Sequence, residues 1–174
     1  TDNEGINPIH NLAYSNKNLA IFKYFIEKGV DIFESDNDGN IPLMNAANRN
    51  DLEVIKFFVD HTKDINTKNK DNKTALVNAV RRNSPEVVEF LIKKGSDIHV
   101  IDKDNNNIAY YLIESYSKRN KKAFNTKWDL LTKKGLNLAH TQKEGNNLFH
   151  LAVVKGDISL LDKIANKKLD INAK

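Results

Sequence analysis

A dipeptide of Asp or Asn followed by Ile or Leu recurs along this chain at Asp31-Ile32, Asp64-Ile65, Asp97-Ile98, Asn137-Leu138 and Asp170-Ile171. The steps are 33, 33, 40 and 33 residues. A second ladder, Pro8, Pro42, Ala75, Ile108 and Leu148, follows with steps of 34, 33, 33 and 40. No other feature restricts the fold so strongly. A unit of about 33 residues holds one small motif that cannot bury its own apolar face, so such units must stack and complete one another's core. Five units are expected, at 1–35, 36–68, 69–101, 102–140 and 141–174, with a seven-residue insertion in the fourth.

Each unit repeats one layout. A polar turn such as Asp36-Asn37-Asp38-Gly39 leads to a short apolar start, Ile41-Pro42-Leu43, then to small residues, Ala46-Ala47, then to a second apolar run. The second run places apolar residues at i, i+1, i+4 and i+5: Ile21, Phe22, Phe25, Ile26; Val54, Ile55, Phe58, Val59; Val87, Val88, Leu91, Ile92; and Leu160, Leu161, Ile164, Ala165. That spacing covers one broad face of a 3.6-residue helix. Pro85 after Ser84 suits a helix start, where its missing N–H is not needed. Gly29, Gly95 and Gly135 suit helix ends that require positive φ, whereas Thr62 stands in the glycine's place in the second unit. Small residues at Ala13, Ala46, Ala79 and Ala152 allow first helices to approach closely. Turn, helix, helix is the expected unit.

These residues resemble the ankyrin repeats, whose pattern runs roughly D-x-x-G-x-T-P-L-H-x-A-A, a spacer, a V-x-x-L-L-like helix and G-A-D-V-N. The matching stretches are Gly5-Ile6-Asn7-Pro8-Ile9-His10, Asp38-Gly39-Asn40-Ile41-Pro42-Leu43 with Ala46-Ala47, Lys73-Thr74-Ala75-Leu76, Gly95-Ser96-Asp97-Ile98 and Asp170-Ile171-Asn172. Asn105-Asn106-Asn107-Ile108-Ala109 departs from the pattern in the fourth unit. The resemblance implies an all-α solenoid of about five stacked helix pairs with β-turn fingers, acting as a non-catalytic protein-binding module. It further implies that a partner meets the fingers and the exposed side of the first helices, at positions that vary between units. Those are Asn37, Asp38, Asn40 and Asn48 in the second unit, Lys70, Asp71, Lys73 and Arg81 in the third, and Lys103, Asp104, Asn106 and Glu114 in the fourth. Hydrogen bonds and charge around a small apolar centre are the expected mode. Leu169 and Ile171 leave an apolar face without a polar capping unit, so further repeats or another domain are expected to follow.

Catalysis needs a convergent nucleophile, base and orienting group, and no such set is visible, so no enzyme activity and no cofactor are expected. With no cysteine, the chain has no disulfide framework, thiol nucleophile or Cys-type metal site. It also lacks a Gly-rich phosphate loop. His10 and His150 share one position in their units and read as scaffold. His61, His99 and His140 lack metal-ligand spacing, so no metal is expected. Asp36/Asp38 and Asp102/Asp104 offer carboxylates to a hard cation. Asp or Asn nevertheless recurs there as Asp2, Asp36, Asn69 and Asp102, the habit of residues that close their own turn.

Charge, by contrast, differs between units. Residues 63–82 carry six cations against two acids and residues 118–134 carry seven against one, while residues 36–60 carry five acids against two cations. A partner of matching polarity would be steered by such unevenness. The alternative function is binding of an acidic polymer or nucleic acid through stretches 63–82 and 118–134, and a third is a targeting or regulatory array attached to an enzyme outside this segment. Seven residues is about two helical turns, so the insertion is expected to lengthen both helices of the fourth unit by one turn each. Phe124 and Trp128 would then continue the buried stripe, with Lys118-Arg119-Asn120-Lys121-Lys122 at an exposed tip. Tyr110, Tyr111 and Tyr116 would either meet a partner or fill the larger core. A monomer without membrane insertion is expected. A cytoplasmic location is favoured, an exported or periplasmic one following if a leader precedes Thr1.

Overall fold

The computed structural model describes residues 3–4, 7–15, 17–49 and 51–167; Asp2, Gly5-Ile6 and the stretch from Leu169 to Asn172 lie outside them. The chain forms two compact units, Thr1–Asp97 and Ile98–Lys174. In the first, helices alternate as α1 (Pro8–Ser15), α2 (Leu19–Glu27), α3 (Pro42–Arg49), α4 (Leu52–His61), α5 (Ala75–Arg82) and α6 (Pro85–Lys93). The second holds α7 (Ile108–Glu114), a 3-10 turn (Lys118–Asn120), α8 (Lys121–Lys133), α9 (Leu148–Lys155) and α10 (Ile158–Ala165). Among the described residues there is no strand, only an isolated bridge between Ile101 and Asn107. The fold is all-α.

Helices this short would not persist alone in water, where about 12–15 residues are needed. Packing holds them. In the first unit α3 lies between α1 and α5, and α4 packs on α6. The small residues Ala13, Ala46 and Ala79 are fully buried along those contacts. Behind them, Phe22 of α2 meets Phe57 and Phe58 of α4 at ring separations of 5.8 and 5.2 Å. Val54, Ile55 and Phe58 in α4 and Val87, Val88 and Leu91 in α6 are buried as the periodicity requires. Phe57 is buried too, whereas Ala165 in α10 is exposed. Ser84 caps α6 through the Val87 amide, with Pro85 in the first turn. Gly29, Gly95 and Gly135 have φ of 81, 98 and 88°, while Thr62 ends α4 in an extended conformation.

The turns that precede the first helices share one construction. Oδ1 of Asp36 accepts the amides of Asp38 and Asn40 at 3.0 and 2.8 Å. Asn69 does the same for Asp71 and Lys73, and Asp102 for Asp104 and Asn106. The fourth residue of each turn takes a left-handed conformation, at Gly39 (φ 80°), Asn72 (63°), Asn105 (60°) and Gly145 (78°). Asn105 therefore stands in for glycine, and the irregular Asn105-Asn106-Asn107 sequence keeps the turn of the other units. Asn tolerates this backbone better than most residues.

The insertion is resolved differently from the expectation. α7 keeps 7 residues and α8 has 13, so the added length falls on the second helix and the 3-10 turn before it. In phase this is sufficient: Phe124, Trp128 and Leu131 are buried on one face of α8. Tyr111 and Tyr116 belong to the core rather than to a contact surface. Tyr111 donates its hydroxyl to Asp102 and Tyr116 donates to Asp157.

Candidate functional site

Within the first compact unit, the turns and first helices enclose a groove of about 380 Å³. The turn before α3 contributes Asp38 and Asn40, and the turn before α5 contributes Asn69, Lys70, Asp71 and Lys73. α3 adds Asn45 and Asn48, and α5 adds Asn78, Arg81 and Arg82. The turns are held in line by main-chain bonding, with the Lys70 amide donating to the Asp38 carbonyl at 2.8 Å. Asn69 reinforces this by donating to Asn40 Oδ1 at 2.8 Å. Asn48 and Asn78 both donate to the Met44 carbonyl, at 3.3 and 2.9 Å, which fixes their side chains.

Seven residues singled out from the sequence, Asp38, Asn40, Asn48, Lys70, Asp71, Lys73 and Arg81, line this groove together. Asn37 does not; its side chain donates to the Asn3 carbonyl at 3.0 Å. Lys103, Asp104, Asn106 and Glu114 lie in the second compact unit. There Asn106 is tied to Asp102 at 3.2 Å, while Lys103 and Asp104 are exposed. The expected small apolar centre is absent from the groove, since every lining residue is polar or charged.

Asn45, Asn69, Asn78 and Arg82 complete the lining and were not singled out. Asn45 and Asn78 occupy the same place in successive units, as Asn11 does in α1, and recurrence reads as scaffold. The overlooked signal is solvent access: the buried first-helix positions are apolar, and a repeated Asn there marks the side that faces out.

Electrostatically the groove holds Lys70, Lys73, Arg81 and Arg82 against Asp38 and Asp71. Lys73 pairs with Asp71 at 3.1 Å, so these two largely cancel. The remaining cations outnumber Asp38. Lys70 and Arg82 are exposed. Lys127, counted from the sequence with the 118–134 basic stretch, is instead buried at 6% exposure, and burial pushes its ammonium down to about 8. Lys118, Arg119, Lys121 and Lys122 are exposed, and Lys121 donates to Ser159 Oγ at 2.7 Å.

The histidines and paired acids serve the scaffold. His10 is buried; its Nε2 carries the proton, because it donates to the Asn40 carbonyl at 3.1 Å, leaving Nδ1 to accept the Asn7 amide at 3.3 Å. The Asn147 amide donates to His150 Nδ1 at 3.3 Å in the same way. Asp36 and Asp102 are committed to their own turns. Among the described residues no three His, Asp or Glu side chains converge as a metal site. No helix among them is long and apolar enough to cross a membrane.

Asp157 shows how the insertion is anchored. It caps α10 through the Ser159 amide and accepts from Tyr116 and from Ser159 Oγ, and these bonds, Tyr116 first, hold its carboxyl down at about 2. The unfolded carboxyl titrates near 3.8, so the stability it contributes is present above that pH and is lost as the pH falls toward 2. In the Asp157→Asn variant this loss should vanish, so denaturation midpoints of the two proteins should converge as the pH drops through that window.

Comparison with known proteins agrees with this architecture. No curated protein gives a significant match to the chain. The family model for ankyrin repeats, in three copies, matches residues 9–102, more than half of the sequence. Repeated turn, helix pair and left-handed turn residue thus carry a recognised family signature, and the chain belongs to the ankyrin-repeat family.

Proposed function

We propose that this chain is a non-catalytic interaction module whose groove between Asp38 and Arg82 receives a protein partner. Ankyrin repeats generally mediate protein–protein interaction. The observation that supports this face is the convergence on one groove of seven residues expected from the sequence, although they come from two turns and two helices. Recognition requires polar and charged side chains gathered on one accessible side, as these are.

Affinity capture from the source cells with the wild type and a Lys73→Glu/Arg81→Glu variant tests the reading. Partners should be retained by the wild type and depleted about tenfold by the variant, as for truncation of an interfacial charge. Partners bound equally by both would reject the groove, provided thermal melting shows the variant folded. Burial of Lys127 weakens the alternative of a polyanion site at 118–134. Salt titration separates the two: a polyanion complex loses affinity steeply and log-linearly with salt, whereas a protein interface of mixed charge responds modestly.

A further inference from the structure

With the groove as the binding face, on which the assignment of a ligand class rests, its lining narrows that class beyond a protein partner in general. An amphipathic helix finds no seat there. Such a helix docks through apolar anchors at i, i+3, i+4 and i+7, and the lining offers no apolar residue.

An extended chain fits a polar lining. Its unpaired backbone N–H and C=O groups need partners, and a carboxamide offers both a donor and an acceptor, matching a peptide unit edge to edge. Asn45 and Asn78 stand one unit apart on the packed helices α3 and α5, with Asn48 one turn beyond Asn45. Packed helices lie about 8–10 Å apart, and an extended chain advances about 3.3 Å per residue. Asn45 and Asn78 would therefore meet peptide units about three residues apart. Asn78 donates one of its two N–H bonds to Met44, so its orientation is set while an N–H and Oδ1 remain for a ligand.

Charge selects the side chains. Lys73 is matched to Asp71, and the exposed cations of the groove are Lys70 on the turn and Arg82 at the end of α5. A guanidinium presents a planar fork that matches a carboxylate in two parallel bonds. We infer that the groove binds an extended peptide segment bearing Asp or Glu, its backbone read by Asn45, Asn48 and Asn78 and its carboxylate held by Arg82 and Lys70.

Selection from a phage-displayed library of random twelve-residue peptides tests this. Peptides enriched on the wild type should be rich in Asp and Glu. The Arg82→Glu variant should weaken them about tenfold, and Asn45→Ala/Asn78→Ala should weaken acidic and neutral peptides alike. Lys70→Glu, at an exposed position, supplies a second charge reversal should the arginine variant fold poorly. Enrichment of neutral or basic peptides that still depend on Asn45 and Asn78 would overturn the acidic preference while leaving the groove as the binding face. Peptides insensitive to every groove substitution would overturn the groove itself. Displacement of the selected peptides by single-stranded DNA at equal charge concentration would overturn the peptide class in favour of a polyanion.

Discussion

Gly39→Ala is expected to destabilise the first compact unit by about 3 kcal/mol. Two effects add at this residue. Its φ of 80° lies where an L side chain costs about 1–2 kcal/mol. A Cβ built there would also stand 3.0 Å from the Lys70 backbone nitrogen and 3.3 Å from the Asn69 Cα, atoms that cannot rotate away. Overpacking of this kind adds a further 1–3 kcal/mol, roughly. Gly95→Ala is the control: φ is 98°, yet nothing lies within 4 Å of its added Cβ, so a loss of only about 1 kcal/mol is expected. Denaturant titration of both variants measures the difference. Faster amide exchange at Lys70 in Gly39→Ala would locate it, because that amide bonds to the Asp38 carbonyl across the same contact. Equal losses in the two variants would refute the close-approach argument.

Stability of the second compact unit should rise as the pH climbs from about 8 to about 10.5, and Lys127 is the cause. Burial lowers its folded pKa to about 8 from the ordinary 10.5. Between those values the unfolded chain binds the proton and the folded chain does not, so stability increases with pH. Below about 8 both states are protonated and the folded state carries the full penalty, at most about 3 kcal/mol at 1.36 kcal/mol per pH unit. Lys127→Met keeps an unbranched side chain at this buried position and removes the titration. The wild type should gain stability relative to the variant as the pH climbs through the alkaline window. Parallel pH profiles for the two proteins would remove Lys127 as the source, since lysines elsewhere titrate in both.

Part of the candidate site was legible because the period assigns every residue a place within its unit. Once Asp36, Asn69 and Asp102 fall in register, the residues between them must form the turns, and those that vary must face outward. Lys70 and Lys73, which stand where the preceding unit has Asn37 and Asn40, were reached by that route. Asn45 and Asn78 were not, because comparing units discards what they share, although a recurring residue can face a ligand as well as a neighbour. Asn37 shows the converse: it varies, yet its amide and side chain also bond the preceding turn.

Length and spacing by themselves determined the repeat, the helix pair and the positive-φ glycines that end second helices, because these depend on local backbone geometry and on a face that every unit must bury. Where charge ends up is another matter, since it depends on which neighbours surround each side chain. Only the tertiary structure could show that Lys73 is matched by Asp71, that Lys127 is buried, and that the seven-residue insertion falls on the second helix and the 3-10 turn before it. Dehydration lowers the pKa of the Lys127 ammonium, and dehydration is a property of the packed fold.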